Sequence, residues 1–148
     1  MLPDAFELVV VTPERQLLRE TVVEAQLPGA GGCLGILPGH APLMTELGIG
    51  ELICRSASGK ETVHLAIARG FAEVLSDRVT ILAEIAERAE EIDVTRAEAA
   101  KVRAEKRLAA LAPEIDWDRA AVSLQRALIR LQVARKRTVS ASNPEGGS

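Results

Sequence analysis

Few residues in this 148-residue chain carry reactive side chains, and they are scattered. His40 stands between Pro-Gly and Ala-Pro in the apolar stretch LGILPGHAPLMTELGIGEL, Leu34 to Leu52. A histidine there invites a reading as base or ligand, but no nucleophile accompanies it at a motif spacing. His64, Cys33 and Cys54 are the other soft ligands, and no spacing among the four resembles a zinc site. Two cysteines are too few for a disulfide framework and read as reduced core or loop residues. The chain has no glycine-rich phosphate loop, so a hydrolysing P-loop site is excluded.

Composition narrows the classes further. Hydrophobic residues make up 47% and charged residues 26%, the balance of a chain that folds around a core. Phe6, Phe71 and Trp117 are the only aromatics, which leaves little platform for stacking single-stranded nucleic acid. No apolar run reaches the about 18 residues of a membrane-spanning helix, and the first residues lack a secretory leader pattern. The chain is expected to stay on the side of the membrane where it is made. Charge is uneven: residues 1–92 hold 14 acids against 7 bases, and residues 93–148 hold 7 acids against 11 bases. A basic segment therefore follows an acidic one.

The elements that must position any site change character at the same place. In TVHLAIA, Val63, Leu65 and Ile67 alternate with Thr62, His64 and Ala66; RVTIL repeats the scheme with Val79 and Ile81. These segments predict half-buried strands, and similar ones begin near Phe6, Gln16 and Val22. Turn signals at TPE, PGAGG, PGH, SASGK and LSDR complete the pattern of an all-β sandwich or barrel. After AERAEEID the period becomes helical. Ala97, Ala100, Ala104, Leu108 and Leu111 share one face, Pro113 interrupts, and Asp116 can cap a second helix carrying Ala120, Leu124, Leu128 and Leu131. The expected fold is α+β: a β-sandwich or barrel over residues 1–88, an antiparallel two-helix hairpin over 89–137, and a disordered polar tail over 138–148.

The order of these parts resembles the epsilon subunit of bacterial F-type ATP synthases. The loop around LGILPGHAPLMTELGIGEL is similar to the family's signature turn, RGFAEVLSDRVTILAEIAE to its last strand hairpin, and EIDVTRAEAAKVRAEKRL with the next basic helix to its C-terminal hairpin. The resemblance runs from about Phe6 to Arg137. It implies a noncatalytic rotor subunit, monomeric when isolated, held peripherally at the cytoplasmic face of the bacterial inner membrane. Its sandwich would grip the gamma subunit and the c-ring through Leu37, Pro38, His40, Pro42, Leu43 and Met44. Its hairpin would reach the alpha/beta catalytic head and block ATP hydrolysis. Two departures stand out: Cys33 occupies a position that is often acidic near the c-ring contact, and Arg69-Gly70 replaces a usual Gly-Gly. If Gly70 alone needs a special backbone conformation, Arg69 should be harmless.

Ile92-Asp93-Val94-Thr95-Arg96-Ala97 resembles the family motif that forms part of an ATP site in some members. The resemblance maps the remaining contacts onto Glu87, Arg103, Arg126 and Arg130. No cofactor is required on this reading; ATP would be a regulatory ligand. Arg126 and Arg130, four residues apart, share a helix face, and guanidinium groups suit phosphate oxygens. Asp93 equally reads as a helix N-cap, and Arg96 as a partner for a nearby glutamate. The competing function is a small-molecule-binding β-sandwich with a helical dimerisation hairpin. A nucleic-acid-binding role fits poorly with a net charge of −3 and no basic N-terminal surface.

Overall fold

The computed structural model describes residues 2–58, 61–110 and 112–141, the last five by backbone alone. Six strands come first: β1 (Phe6–Val11), β2 (Gln16–Gly29), β3 (Gly32–Ile36), β4 (Leu43–Ser56), β5 (Thr62–Val74) and β6 (Arg78–Arg88). A 3-10 turn over Ala89–Glu91 leads into α1 (Val94–Ala109) and α2 (Trp117–Ala141). Contacts divide the chain into two compact units, one ending at Arg88 and the other beginning at Ala89. The first is a closed β-sandwich and the second an antiparallel helical hairpin.

The sandwich closes on itself. Antiparallel pairing runs β6, β5, β4, β2, and β1 completes the ring by pairing antiparallel with β2 and parallel with β6. β3 continues along the β2 edge beyond β1, from Ala25 to Gly29. Closure leaves few free backbone groups at sheet edges. The enclosed core is aliphatic: Leu8, Leu27, Ile36, Leu47, Leu52, Leu65, Ile67 and Ile81 are among its fully buried side chains.

Each long strand changes its inward parity partway along. On β5 the core takes Leu65 and Ile67, then Ala72 and Val74; on β4 it takes Leu47, then Leu52 and Cys54. Since side chains alternate strictly along a flat strand, an odd step requires a local twist of the backbone. β5 makes that step at Arg69 and Gly70, whose φ angles are 65° and 142°. A Cβ on Gly70 would lie 2.1 Å from the Leu82 carbonyl oxygen, so only glycine fits there. The condition that Gly70 alone need special geometry is not met: Arg69 also adopts a left-handed conformation.

Other differences are local. Gln16 and Val22 lie in one 14-residue strand, since no turn residue separates them; β2 bends through register shifts after Val22 and Gln26. Ala66 and Ala68 are buried as well as Leu65 and Ile67, so this strand is covered on both faces. In the hairpin, Asp93 Oδ1 accepts the Arg96 backbone N–H and Asp116 Oδ1 that of Arg119, each at 3.0 Å. Both caps read from the sequence are thus present. α1 ends at Ala109, ahead of Pro113, and α2 continues to Ala141, past Arg137, so residues 138–141 are helical rather than tail. Residues 142–148, the rest of that expected tail, lie outside the described residues, as does Leu111. Ala97 and Ala104 are buried on α1, with Ala100 and Leu108 half-buried; Ala120, Ala127, Leu131 and Ala134 are buried on α2. Leu128 instead is 44% exposed, because Ala127 takes its place in the seam.

Candidate interaction and nucleotide sites

Two turns and the N-terminal residues meet at one end of the sandwich. Gly39 N–H donates to the Ser76 carbonyl at 2.8 Å and His40 N–H to the Leu37 carbonyl at 3.1 Å. The first bond ties the β3–β4 loop to the β5–β6 turn; the second closes the loop's own turn. Gly39 has φ 85°, and a Cβ there would meet the Leu2 side chain at 2.8 Å. Proline at 38 and 42 fixes two more φ angles. The result is a stiff loop that carries large apolar side chains into solvent: Leu37 is 58% and Met44 66% exposed, and Leu2, Leu43 and Leu75 are exposed beside them. Pro42 is exposed, while Pro38 and His40 are half-buried. Apolar side chains held outward by a rigid turn suit contact with another surface.

His40 is a brace in this loop. Its Nδ1 donates to the Ala41 carbonyl at 2.7 Å. His64 Nδ1 donates to Glu51 Oε2 at 2.7 Å across β4 and β5, a second structural histidine. Cys33 is exposed and pairs in register with Pro28. Cys54 lies in the core; burial, reinforced by the negative charge of Glu20, pushes its thiol pKa from 9.0 up to about 11. Among the described residues no group of three or more His, Cys, Asp or Glu side chains is placed to hold a metal ion.

The hairpin carries the arginines. Arg96, Arg103 and Arg107 lie at steps of seven and four on one flank of α1; Arg119, Arg126 and Arg130 repeat those steps on α2. At 3.6 residues per turn each trio forms one line beside its Ala seam, and antiparallel pairing about those seams turns both lines to the same side. Arg96 and Arg103 are exposed, and Arg126 and Arg130 half-buried. Arg126 Nε is buried without a hydrogen-bond partner, a costly arrangement for a charged donor. Ile92 and Ala97, by contrast, are almost fully buried apolar residues, and Asp93 caps α1. Glu87 belongs to the sandwich unit, half-buried on β6 opposite Ala66.

Arg107 and Arg119 were not among the expected site residues. They line a cavity of about 360 Å³ at the turn of the hairpin, together with Glu114, Ile115, Asp116 and Ala120. The repeated seven-and-four spacing was the signal available in the sequence. A second omission is on the sandwich: Phe71 and Leu82 face solvent in register, 54% and 55% exposed. Leu82 was hidden in the sequence because it sits inside an unbroken apolar run.

Comparison with known proteins agrees with this architecture. Residues 5–89 match the family model of the ATP synthase delta/epsilon chain β-sandwich domain, and residues 90–135 that of its long α-helix domain. The chain is 58% identical over 113 residues to the ATP synthase epsilon chain of Koribacter versatilis, covering 76% of this chain and 78% of that one. It is 48% identical over 136 residues to that of Solibacter usitatus, covering 92% and 100%. The fold also matches a chain in the Euglena gracilis mitochondrial ATP synthase structure containing OSCP, F1 and c-ring. There the TM-score is 0.78 at 23% identity, covering 91% of this chain and 84% of that one. A chain of the Tetrahymena thermophila central stalk and c-ring structure matches with TM-score 0.55 at 15% identity, covering 90% and 96%. Among the described residues no helix is long and apolar enough to cross a membrane.

Proposed function

Because the chain belongs to the ATP synthase epsilon chain family, we propose that it acts as a noncatalytic central-stalk subunit. In this role the sandwich joins the gamma subunit to the c-ring, and the hairpin restrains ATP hydrolysis by engaging the alpha/beta head. The subunit would sit at the cytoplasmic face of the inner membrane, held there by the complex. The observation that carries the reading is the braced apolar tip. Leu37 and Met44 stand mostly in solvent while backbone hydrogen bonds and two prolines fix the loop beneath them. Such preorganisation lowers the ordering cost of docking. His40 serves here by holding the turn rather than by moving protons.

A regulatory ATP site on the hairpin is favoured by the partnerless Arg126 Nε and the two arginine lines turned to one side. Arg103, Arg126 and Arg130 would meet phosphate oxygens, while Arg96 extends the same positive face. Ile92 and Ala97 shape the floor, and Asp93 fixes the start of α1. An acidic surface on the catalytic head would be drawn to the same arginines, so nucleotide and head would compete for them.

Deleting residues 93–148 tests the inhibitory role. ATPase activity of the assembled complex should rise several-fold; unchanged activity removes it. Titration calorimetry of the full chain with ATP tests sensing, with Arg126→Ala and Arg130→Ala as controls. Absence of heat at millimolar ATP would end the sensing reading and leave the stalk role intact.

A further inference from the structure

The outward face of β5 and β6 carries further exposed apolar residues, beginning two residues along the strands from Met44, which pairs with Glu73. Cross-strand register places Phe71 opposite Leu82, and Leu82 beside Val11 of β1. All three point away from the core, since their chain neighbours Ala72, Ile81 and Val10 are buried. They form a row running across the strands, perpendicular to the chain direction. The row has charged neighbours: Glu46 continues it on β4, Glu73 lies two residues along β5, and Glu84 two residues along β6. Arg69 lies between Ala68 and Gly70, whose partners Ile85 and Ala83 flank Glu84, and Arg15 precedes Gln16, the register partner of Val11.

We propose that this row docks a basic amphipathic helix of another stalk component, lying across the strands. The inference rests on the stalk reading above and adds the surface and the chemistry of its partner. Neighbouring strands lie about 4.8 Å apart, and one helical turn advances about 5.4 Å. Apolar residues at i, i+3 or i+4, and i+7 of a crossing helix therefore fall on Phe71, Leu82 and Val11 in turn. Lysine or arginine flanking that stripe would meet Glu46, Glu73 and Glu84. Exposed apolar side chains bordered by charge are the usual anatomy of an energetic contact. A second copy of this chain is a poor occupant. Apposing two such faces would bring six glutamates together, and like charges across an interface oppose association.

The test uses the full chain and the ATP synthase complex of the same organism stripped of this subunit. The Phe71→Ser, Leu82→Ser double variant should rebind at least tenfold more weakly than the parent chain. Its thermal unfolding midpoint should be unchanged, since both residues are exposed; Phe71→Lys provides a second, single-site probe. Glu73→Lys with Glu84→Lys should weaken rebinding further, and salt should weaken rebinding of the parent chain. Failure of the parent chain to rebind would sink the stalk reading itself. Equal rebinding of parent and double variant would sink only this proposal. Tighter rebinding of the charge-reversed chain, or self-association that the double variant abolishes, would overturn it in favour of an acidic partner or a second copy.

Discussion

The sandwich and the hairpin are built from opposite kinds of apolar residue. The sandwich encloses Leu, Ile and Val side chains within a ring of paired strands, whereas the hairpin seam is mostly Ala97, Ala104, Ala120, Ala127 and Ala134. At roughly 25 cal/mol per Å² of buried apolar surface, each alanine contributes far less than a leucine. Small seam residues let two helices approach closely but leave little energy to hold them together. Local stability is therefore concentrated in the first unit, while the second concentrates positive charge on a lightly fastened scaffold.

Substitutions can break or sharpen this contrast. The largest effect is expected at Gly70, where Gly70→Val places a branched side chain against the Leu82 carbonyl at a positive φ. Loss of about 3 kcal/mol or more is expected, read as collapse of the sandwich transition in denaturant. A near-native curve would show that the parity step does not need glycine. Leu65→Ala in the core should cost about 3 kcal/mol, whereas Ala104→Gly in the seam should cost about 1 kcal/mol. Comparable losses at the two sites would erase the contrast.

A pH titration probes the core with a single atom. Cys54 is raised to about 11 in the fold from 9.0, so its neutral thiol favours folding fully below pH 9. That contribution declines as pH rises through 9 towards 11, because the unfolded chain ionises first. Cys54→Ala should flatten that part of the stability curve, and thiol labelling at pH 8 should modify Cys33 long before Cys54. The smallest effect is expected from Asp93→Ala, about 1 kcal/mol from loss of the N-cap. Amide exchange should quicken in the first turns of α1 and leave β1–β6 unchanged. Faster exchange throughout the sandwich would mean that the two units unfold as one.

Much of the architecture was legible because it is local. Alternation through Val63, Leu65 and Ile67 marked a strand, and Asp93 and Asp116 announced both helix starts. What escaped depends on contacts remote in sequence. The parity step at Arg69 follows from the turn of neighbouring strands around a closed core, which no single segment encodes. Leu128 outranks Ala127 in hydrophobicity, yet Ala127 is the residue in line with Ala120 and Ala134 along the seam. The arginines were legible as a spacing, but their convergence required knowing that the helices run antiparallel. The Phe71–Leu82 row arises only when β5 and β6 are set in register.

The parallel pairing of β1 with β6 also sets an order of events during synthesis. Glu7 aligns with Arg78, and Val11 with Leu82, so the ring cannot be completed until the last strand has left the ribosome. Closing so distant a pair is slow compared with forming a helical hairpin from neighbours in sequence. The nascent sandwich therefore waits with one edge of β1 open while the other pairs with β2, and refolding of the full chain should show a fast helical phase followed by a slower one in which the barrel closes.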